Sequence, residues 1–278
     1  MKPEIKTKSD IFKDKKMARF ATLCSSSGGN SCYVGTASSG ILIDAGTNNK
    51  KLLLSMEKCG ISPESVKAIF VTHEHSDHTG ALRVFATKRQ IPVYATGGTL
   101  SGLLGGGVID GKFPCEKIMP EGVTVDDIHV TYFPTSHDSK ESCGYKIQLP
   151  DRTVGVCTDT GKMTNDIIRQ LSDCNLVLIE SNYDETMLDF GPYPPVLKAR
   201  IRSDKGHLSN NVCAETVREL LTMGVNRFVL GHLSRENNTP EKAFQCTNAL
   251  LKRTGAVINS DYTLDVAPVG AMGKYIIF

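Results

Sequence analysis

Six consecutive residues, His73-Glu74-His75-Ser76-Asp77-His78, carry three imidazoles and two carboxylates. Packing does not explain so many nitrogen and oxygen donors in one short run, whereas one or more divalent cations would. The run follows Ala68-Ile69-Phe70-Val71, an apolar β-rich stretch that reads as a strand. His73 and His75, two residues apart just past that strand, project to one side, and Asp77 and His78 follow on the turn. The spacing predicts a metal site at the end of a strand.

Further along the chain, isolated acids and histidines recur where strands end. Asp44 stands in Leu42-Ile43-Asp44-Ala45-Gly46 and His137 follows the expected strand 128–134. Asp159 stands in Thr158-Asp159-Thr160-Gly161, and His232 comes straight after Phe228-Val229-Leu230-Gly231. With His73-x-His75-x-Asp77-His78 and Gly80, this ordered set resembles the metallo-β-lactamase superfamily from about residue 18 to 265. The resemblance implies a four-layer αββα sandwich of α/β class and two divalent ions (zinc, manganese or iron). By position, one ion takes His73, His75 and His137, the other takes Asp77, His78 and His232, and Asp159 bridges them. Asp44 resembles the superfamily's non-ligand aspartate, which braces the histidine loop. The implied chemistry is hydrolysis by a hydroxide bridging two ions roughly 3.5–4 Å apart, with Asp77 orienting it. No serine or cysteine nucleophile is then required.

Two positions narrow the branch. Asp159 stands where true β-lactamases carry cysteine, and His75 where di-iron flavoprotein relatives carry glutamate. Only 72 residues lie between Asp159 and His232, too few for an inserted clamp domain of the ribonuclease J type. Ser25-Ser26-Ser27-Gly28-Gly29-Asn30-Ser31, Tyr193-Pro194 with Leu197-Lys198, Gly206-His207-Leu208-Ser209-Asn210 and His232-Leu233-Ser234-Arg235-Glu236-Asn237-Asn238-Thr239-Pro240 are similar to the YycJ/WalJ group, which implies a DNA 5′-to-3′ exonuclease. Tyr183 departs from that pattern, which has histidine there. The alternative is a small-molecule hydrolase of the same fold, a glyoxalase-type thioesterase or a cyclic-phosphate phosphodiesterase.

These stretches also have a direct physical reading. The loop 25–31 offers N–H groups and hydroxyls, Ser26, Ser27 and Asn30 among them, that suit a phosphate, or it is a plain β-hairpin turn. His207 precedes a helix capped by Ser209 or Asn210; it either touches a phosphate or acts as an acid there, or is a buried loop histidine. Arg235, Asn237 and Tyr183 are candidates for substrate contact, Asn237 also for simple loop chemistry; His129, inside a predicted strand, reads as structural. Lys198, Arg200, Arg202 and Lys205 oppose only Asp204, after Phe190, Tyr193 and Pro192, Pro194 and Pro195. This is either a basic strip for nucleic acid or a solvated helix face.

The elements that must position these residues read as strands near Tyr33-Val34 and at 41–43, 68–71, 92–95, 128–134, 143–148, 153–157, 175–180 and 228–230. Helices are expected at 78–89, 163–172, 209–222 and 239–253, the last with Thr239 as N-cap and Pro240 at its first position. Gly-rich turns are expected at 97–107. Strands and helices mix in both halves with no linker, so one domain is expected over 17–278. Residues 1–16 read as a flexible basic extension, with six lysines against Glu4, Asp10 and Asp14. That extension carries +3 of the formal +2, leaving −1 for the rest, so overall charge gives no support for nucleic-acid binding. The chain has no apolar run of membrane-spanning length and no secretory signal, and its nine scattered cysteines suggest reduced thiols and a cytoplasmic protein.

Overall fold

A computed structural model describes residues 17–267, 269 and 275–278; the basic extension expected at 1–16 lies outside them. Among the described residues two seven-stranded sheets form. The first runs β14 (Tyr275–Ile277), β1 (Arg19–Ser26), β2 (Gly29–Gly35), β3 (Gly40–Ile43), β4 (Val66–Phe70), β5 (Val93–Ala95) and β6 (Cys115–Lys117). The second runs β13 (Thr263–Val266), β12 (Arg227–Gly231), β11 (Leu176–Glu180), β10 (Thr153–Cys157), β9 (Cys143–Gln148), β8 (Ile128–Pro134) and β7 (Val123–Val125). Both sheets are mixed. β3 to β6 are parallel in the first, and β10 to β13 in the second.

Phe20, Val34, Ile43 and Phe70 of the first sheet meet Val130, Tyr145, Val156 and Val229 of the second in an apolar core. Phe70 sets the edge of Tyr145 against its ring, with centroids 5.6 Å apart. Helices α1 (Asn49–Lys58), α3 (Leu82–Arg89) and α4 (Gly97–Gly105) bury Leu52, Met56, Phe85 and Leu103 with Tyr33, Leu42 and Ile69 on the outside of the first sheet. α5 (Asn165–Leu171), α8 (Asn210–Thr222) and α9 (Pro240–Arg253) bury Ile167, Val217 and Leu251 with Val177, Ile179 and Phe228 on the second. The arrangement is the expected αββα sandwich. Strand β11, apolar from Leu176 to Ile179 and fully buried, reads as it should for a strand covered on both faces.

Between Asp159 and His232 lie α5, β11, α6 (Glu185–Phe190), α7 (Pro195–Arg202), α8 and β12, with no inserted clamp domain. Ser209 caps α8 by accepting from the Val212 N–H, and Thr239 caps α9 by accepting from Lys242 N–H.

Two expectations are corrected. Residues 97–105 form a helix rather than turns: Thr96 caps it through Thr99 N–H, and burial of Leu103 with Leu100 against the core outweighs the helix penalty of its glycines. The helix expected at 78–89 is split into α2 (Ser76–Thr79) and α3, because the Ala81 N–H leaves the helical ladder to donate to the Ala45 carbonyl at 2.7 Å.

Candidate metal centre

The site lies where strands of both sheets end. Asp44 follows β3 directly, His232 follows β12 directly and Asp159 comes two residues after β10. All three are left-handed, with φ of 60°, 56° and 55° respectively. Asp and His tolerate this conformation better than bulkier side chains, and it turns each one sharply out of its strand. From the first sheet, His73, His75, Asp77 and His78 leave β4 through α2.

Most of the imidazoles are held by a protein oxygen at Nδ1, which leaves Nε2 for the interior of the site. His78 Nδ1 bonds Asp44 at 2.7 Å, His73 Nδ1 bonds Thr72 Oγ1 at 3.0 Å, and His137 Nδ1 bonds the Gly206 carbonyl at 3.1 Å. His232 Nδ1 bonds Glu180 at 2.8 Å. This is how metal-ligating histidines are oriented in general. Asp44 is itself fixed by Thr72, whose N–H and hydroxyl both donate to it at 2.8 Å.

Their inner atoms converge. The ligand atoms of His73, His75 and His137 lie within 4.8 Å of one another, as do those of Asp77, His78 and His232 and those of His73, His78 and Asp159. Asp159 lies between the groups, 3.2 Å from His78 Nε2, 3.3 Å from His232 Nε2 and 3.8 Å from His137 Nε2. Burial alone would raise the Asp159 carboxyl, but His232 and His78 hold it well below the usual carboxylate range. Burial likewise opposes charge on His232, yet Asp159, Asp77 and Glu180 push it up to about 10. Carboxylates in this number demand positive charge from their surroundings. Asp159 Oδ2 and His232 Nε2 are buried with no hydrogen-bond partner, a costly arrangement that a cation would relieve. The donor set therefore fits divalent metal ions.

Glu180 was not singled out in the sequence. It is fully buried, and its Oε1 accepts from His232 Nδ1 at 2.8 Å and His207 Nδ1 at 2.7 Å. Its Oε2 takes the N–H groups of Thr160 and Leu208. A carboxylate closing an otherwise apolar strand was the available signal, since a charge in a core needs partners.

Residues 40–233 match the beta-lactamase superfamily domain. The chain belongs to the metallo-β-lactamase superfamily. Within it, the chain is 35% identical over 239 residues to the exodeoxyribonuclease YycJ of Bacillus anthracis, covering 85% of this chain and 90% of that protein. It is 33% identical over 254 residues to the exodeoxyribonuclease WalJ of Streptococcus pneumoniae, covering 90% and 94%. The metallo-β-lactamase fold protein YhfI of Bacillus subtilis superposes with a TM-score of 0.71 at 14% identity, covering 94% of this chain and all of that one.

In this superfamily member the candidate substrate residues divide. His207 is partly exposed at the rim, 3.8 Å from Asp159. Residues 25–31 form a tight hairpin with Ser27-Gly28 at its tip, and most of its polar groups serve the site rather than solvent. Ser25 Oγ accepts from His232 N–H at 2.8 Å, Asn30 Nδ2 lies 3.3 Å from Asp77 Oδ2, and the Ser31 hydroxyl donates to the Asp44 carbonyl. Ser26 is buried, its hydroxyl accepting from Gly28 N–H, so of the expected phosphate cradle Ser27 and Gly28 stay exposed. The exposed Arg235 places its guanidinium against Gly28, where a Cβ would fall 2.4 Å from Nη2.

Asn237 and Tyr183 are placed differently from the expectation of substrate contact. Asn237 is fully buried and braces its loop through Ser234, presenting no face to a substrate. Tyr183 is buried with Leu188 and Ile201 between β11 and α7, and its carbonyl accepts from Asn210 N–H. His129 lies on β8, bonded to Thr124 in the neighbouring strand, away from the site.

Proposed function

We propose that the chain is a metal-dependent phosphodiester hydrolase of nucleic acid, a DNA 5′-to-3′ exonuclease. The observation that carries this reading is the convergence of the histidine and carboxylate groups on Asp159 in a chain alike over 85% of its length to an exodeoxyribonuclease. In this reading His73, His75 and His137 hold one ion, Asp77, His78 and His232 the other, and Asp159 both. Nitrogen and oxygen ligands without thiolate suit zinc, manganese or iron. Two such ions would lower the pKa of a water molecule and draw charge from a phosphoryl oxygen.

The protein's own groups would do the rest. Asp77, partly exposed and contacted by Asn30, orients the attacking water and accepts its proton. His207, with Nδ1 held by Glu180, has Nε2 left to give a proton to the departing alkoxide. Arg235, with Ser27 at the hairpin tip, offers donors to phosphate oxygens.

The test is a substrate panel under defined zinc, manganese or iron: end-labelled DNA and RNA, a bis-aryl phosphodiester and a thioester. DNA degraded from its 5′ end is expected, with thioester turnover far lower. Strong thioester turnover without phosphodiester cleavage would move the chain to the glyoxalase-type class.

A further inference from the structure

Three of the cations that the sequence groups at 198–205 are spent on neighbours: Lys198 and Arg202 turn to Asp189, and Arg200 turns to Asp138. A donor of another kind reaches the metal centre from the first hairpin. Asn30, on β2, is buried at 6% exposure, and its side chain is directed at Asp77 and His78. Its backbone is fixed from two sides, paired with Ser25 across the hairpin and accepting from the Gly46 N–H at 2.8 Å.

The two ends of this amide cannot be exchanged. Oδ1 accepts from the Ser26 N–H at 3.2 Å, and Nδ2 donates to the Ser26 carbonyl at 2.9 Å. Turning the amide over would set its hydrogens against an N–H and its oxygen against a carbonyl. Nδ2 therefore has one hydrogen left, with Asp77 Oδ2 at 3.3 Å and His78 Nε2 at 3.2 Å within reach. His78 gives its Nδ1 hydrogen to Asp44 at 2.7 Å, so Nε2 carries the lone pair that a metal ion takes. Once that lone pair is engaged, Asp77 Oδ2 is the acceptor that remains. Oδ2 is also the Asp77 oxygen facing the imidazoles, 3.5 Å from His78 Nε2 and 3.6 Å from His232 Nε2.

We propose that Asn30 is a positioning residue of the metal centre. Its second amide hydrogen holds Asp77 Oδ2 toward the ion shared with His78 and His232, and so keeps Oδ1 for the attacking water. The inference rests on the reading of Asp77 given above. It also takes Asn30 out of contact with substrate, because both amide hydrogens are then engaged inside the protein. The bond is buried, so water does not replace it when the side chain is removed.

Stepwise zinc competition with a chromogenic chelator tests this, beside turnover of a bis-aryl phosphodiester at saturating zinc. Asn30→Ala should weaken one of two zinc-binding steps about 10- to 100-fold and leave the other within about twofold. At saturating zinc its kcat should fall about tenfold with KM within about twofold, since the lost donor touched Asp77 and not the substrate. Ser26→Ala, which removes the hydroxyl that meets Gly28 N–H at the hairpin tip, should match wild type in both zinc steps. In the zinc-loaded wild-type protein, NMR should show one side-chain amide proton of Asn30 shifted downfield and slow to exchange, as a buried bond to a carboxylate requires. Unchanged zinc steps in Asn30→Ala, a loss confined to KM, or an equal loss in Ser26→Ala would overturn the inference and leave the role of Asp77 standing. A freely exchanging Asn30 amide would do the same. Asp77→Ala that keeps both zinc steps would overturn the reading of Asp77, and this inference with it.

Discussion

Glu180 accepts from two imidazoles through one oxygen and from two backbone N–H groups through the other. A glutamine there must set its amide hydrogens against one pair of donors. Glu180→Gln should therefore weaken metal affinity about 10- to 100-fold by releasing His232 from its orientation. Competition with a chromogenic chelator measures this, and a change under about twofold would show that the carboxylate orients nothing. Asp159→Asn is expected to be harsher, because the three imidazoles His78, His137 and His232 face that carboxylate. Metal analysis should then return about one ion per chain or fewer, and two retained ions would deny Asp159 its shared place.

At the scale of elements, the centre is held by packing of turns against turns. The β1–β2 hairpin touches site residues that follow strands of both sheets, through Ser25 to His232 and through Asn30 to Asp77 and His78. Gly46 lies between that hairpin and α2. A Cβ there would fall 1.6 Å from the Asp77 carbonyl oxygen and 2.6 Å from Asn30 N. Backbone on both sides cannot yield as a flexible side chain would. Gly46→Ala should cost about 3 kcal/mol in denaturant unfolding, the upper end for overpacking, and reduce bound metal as well. Wild-type stability with full metal content would show that the turns are free to separate. A second clamp is the buried amide of Asn238, which donates to the Ser181 and Asn182 carbonyls and to Asn210 Oδ1. It ties the end of β11 to the start of α8 and to the loop after β12.

Across the whole molecule, all nine cysteines are free, and six are buried. Burial pushes the thiols of Cys24, Cys143 and Cys174 up to about 12 and those of Cys59 and Cys115 up to about 11. A raised thiol pKa leaves the unreactive neutral form in place, with about one part in a thousand as thiolate at pH 8 for a pKa of 11. Iodoacetamide at pH 8 should therefore modify the native protein slowly and all nine sites only after unfolding. Intact-mass measurement checks this, with rapid labelling of native Cys143 or Cys174 as the contrary outcome. Among the described residues no helix is long and apolar enough to cross a membrane.

The sequence by itself determined a metal-suited cluster just past a strand, and its resemblance to the metallo-β-lactamase superfamily implied the sandwich and the other donors that join it. Strand ends are marked by local apolar runs, and imidazoles and carboxylates placed just past them are read directly from residue type and spacing. His73, His75, Asp77 and His78 were legible in this way, whereas His137, Asp159, His232 and Asp44 were picked out by their resemblance to the superfamily's ordered motifs, and the fold brings all eight together. What depends on partners distant in the chain was not. The hairpin 25–31 was open between phosphate cradle and turn, and the tertiary structure makes it a brace because Asp44, Asp77 and His232 arrive beside it. Glu180 gains its place only when His207 and His232, 27 and 52 residues away, close on it. The basic strip divided because Asp189 and Asp138 approach α7 from different sides. Charge along a chain can be counted from its letters, but which charge is neutralised is set by what the fold brings within hydrogen-bond reach.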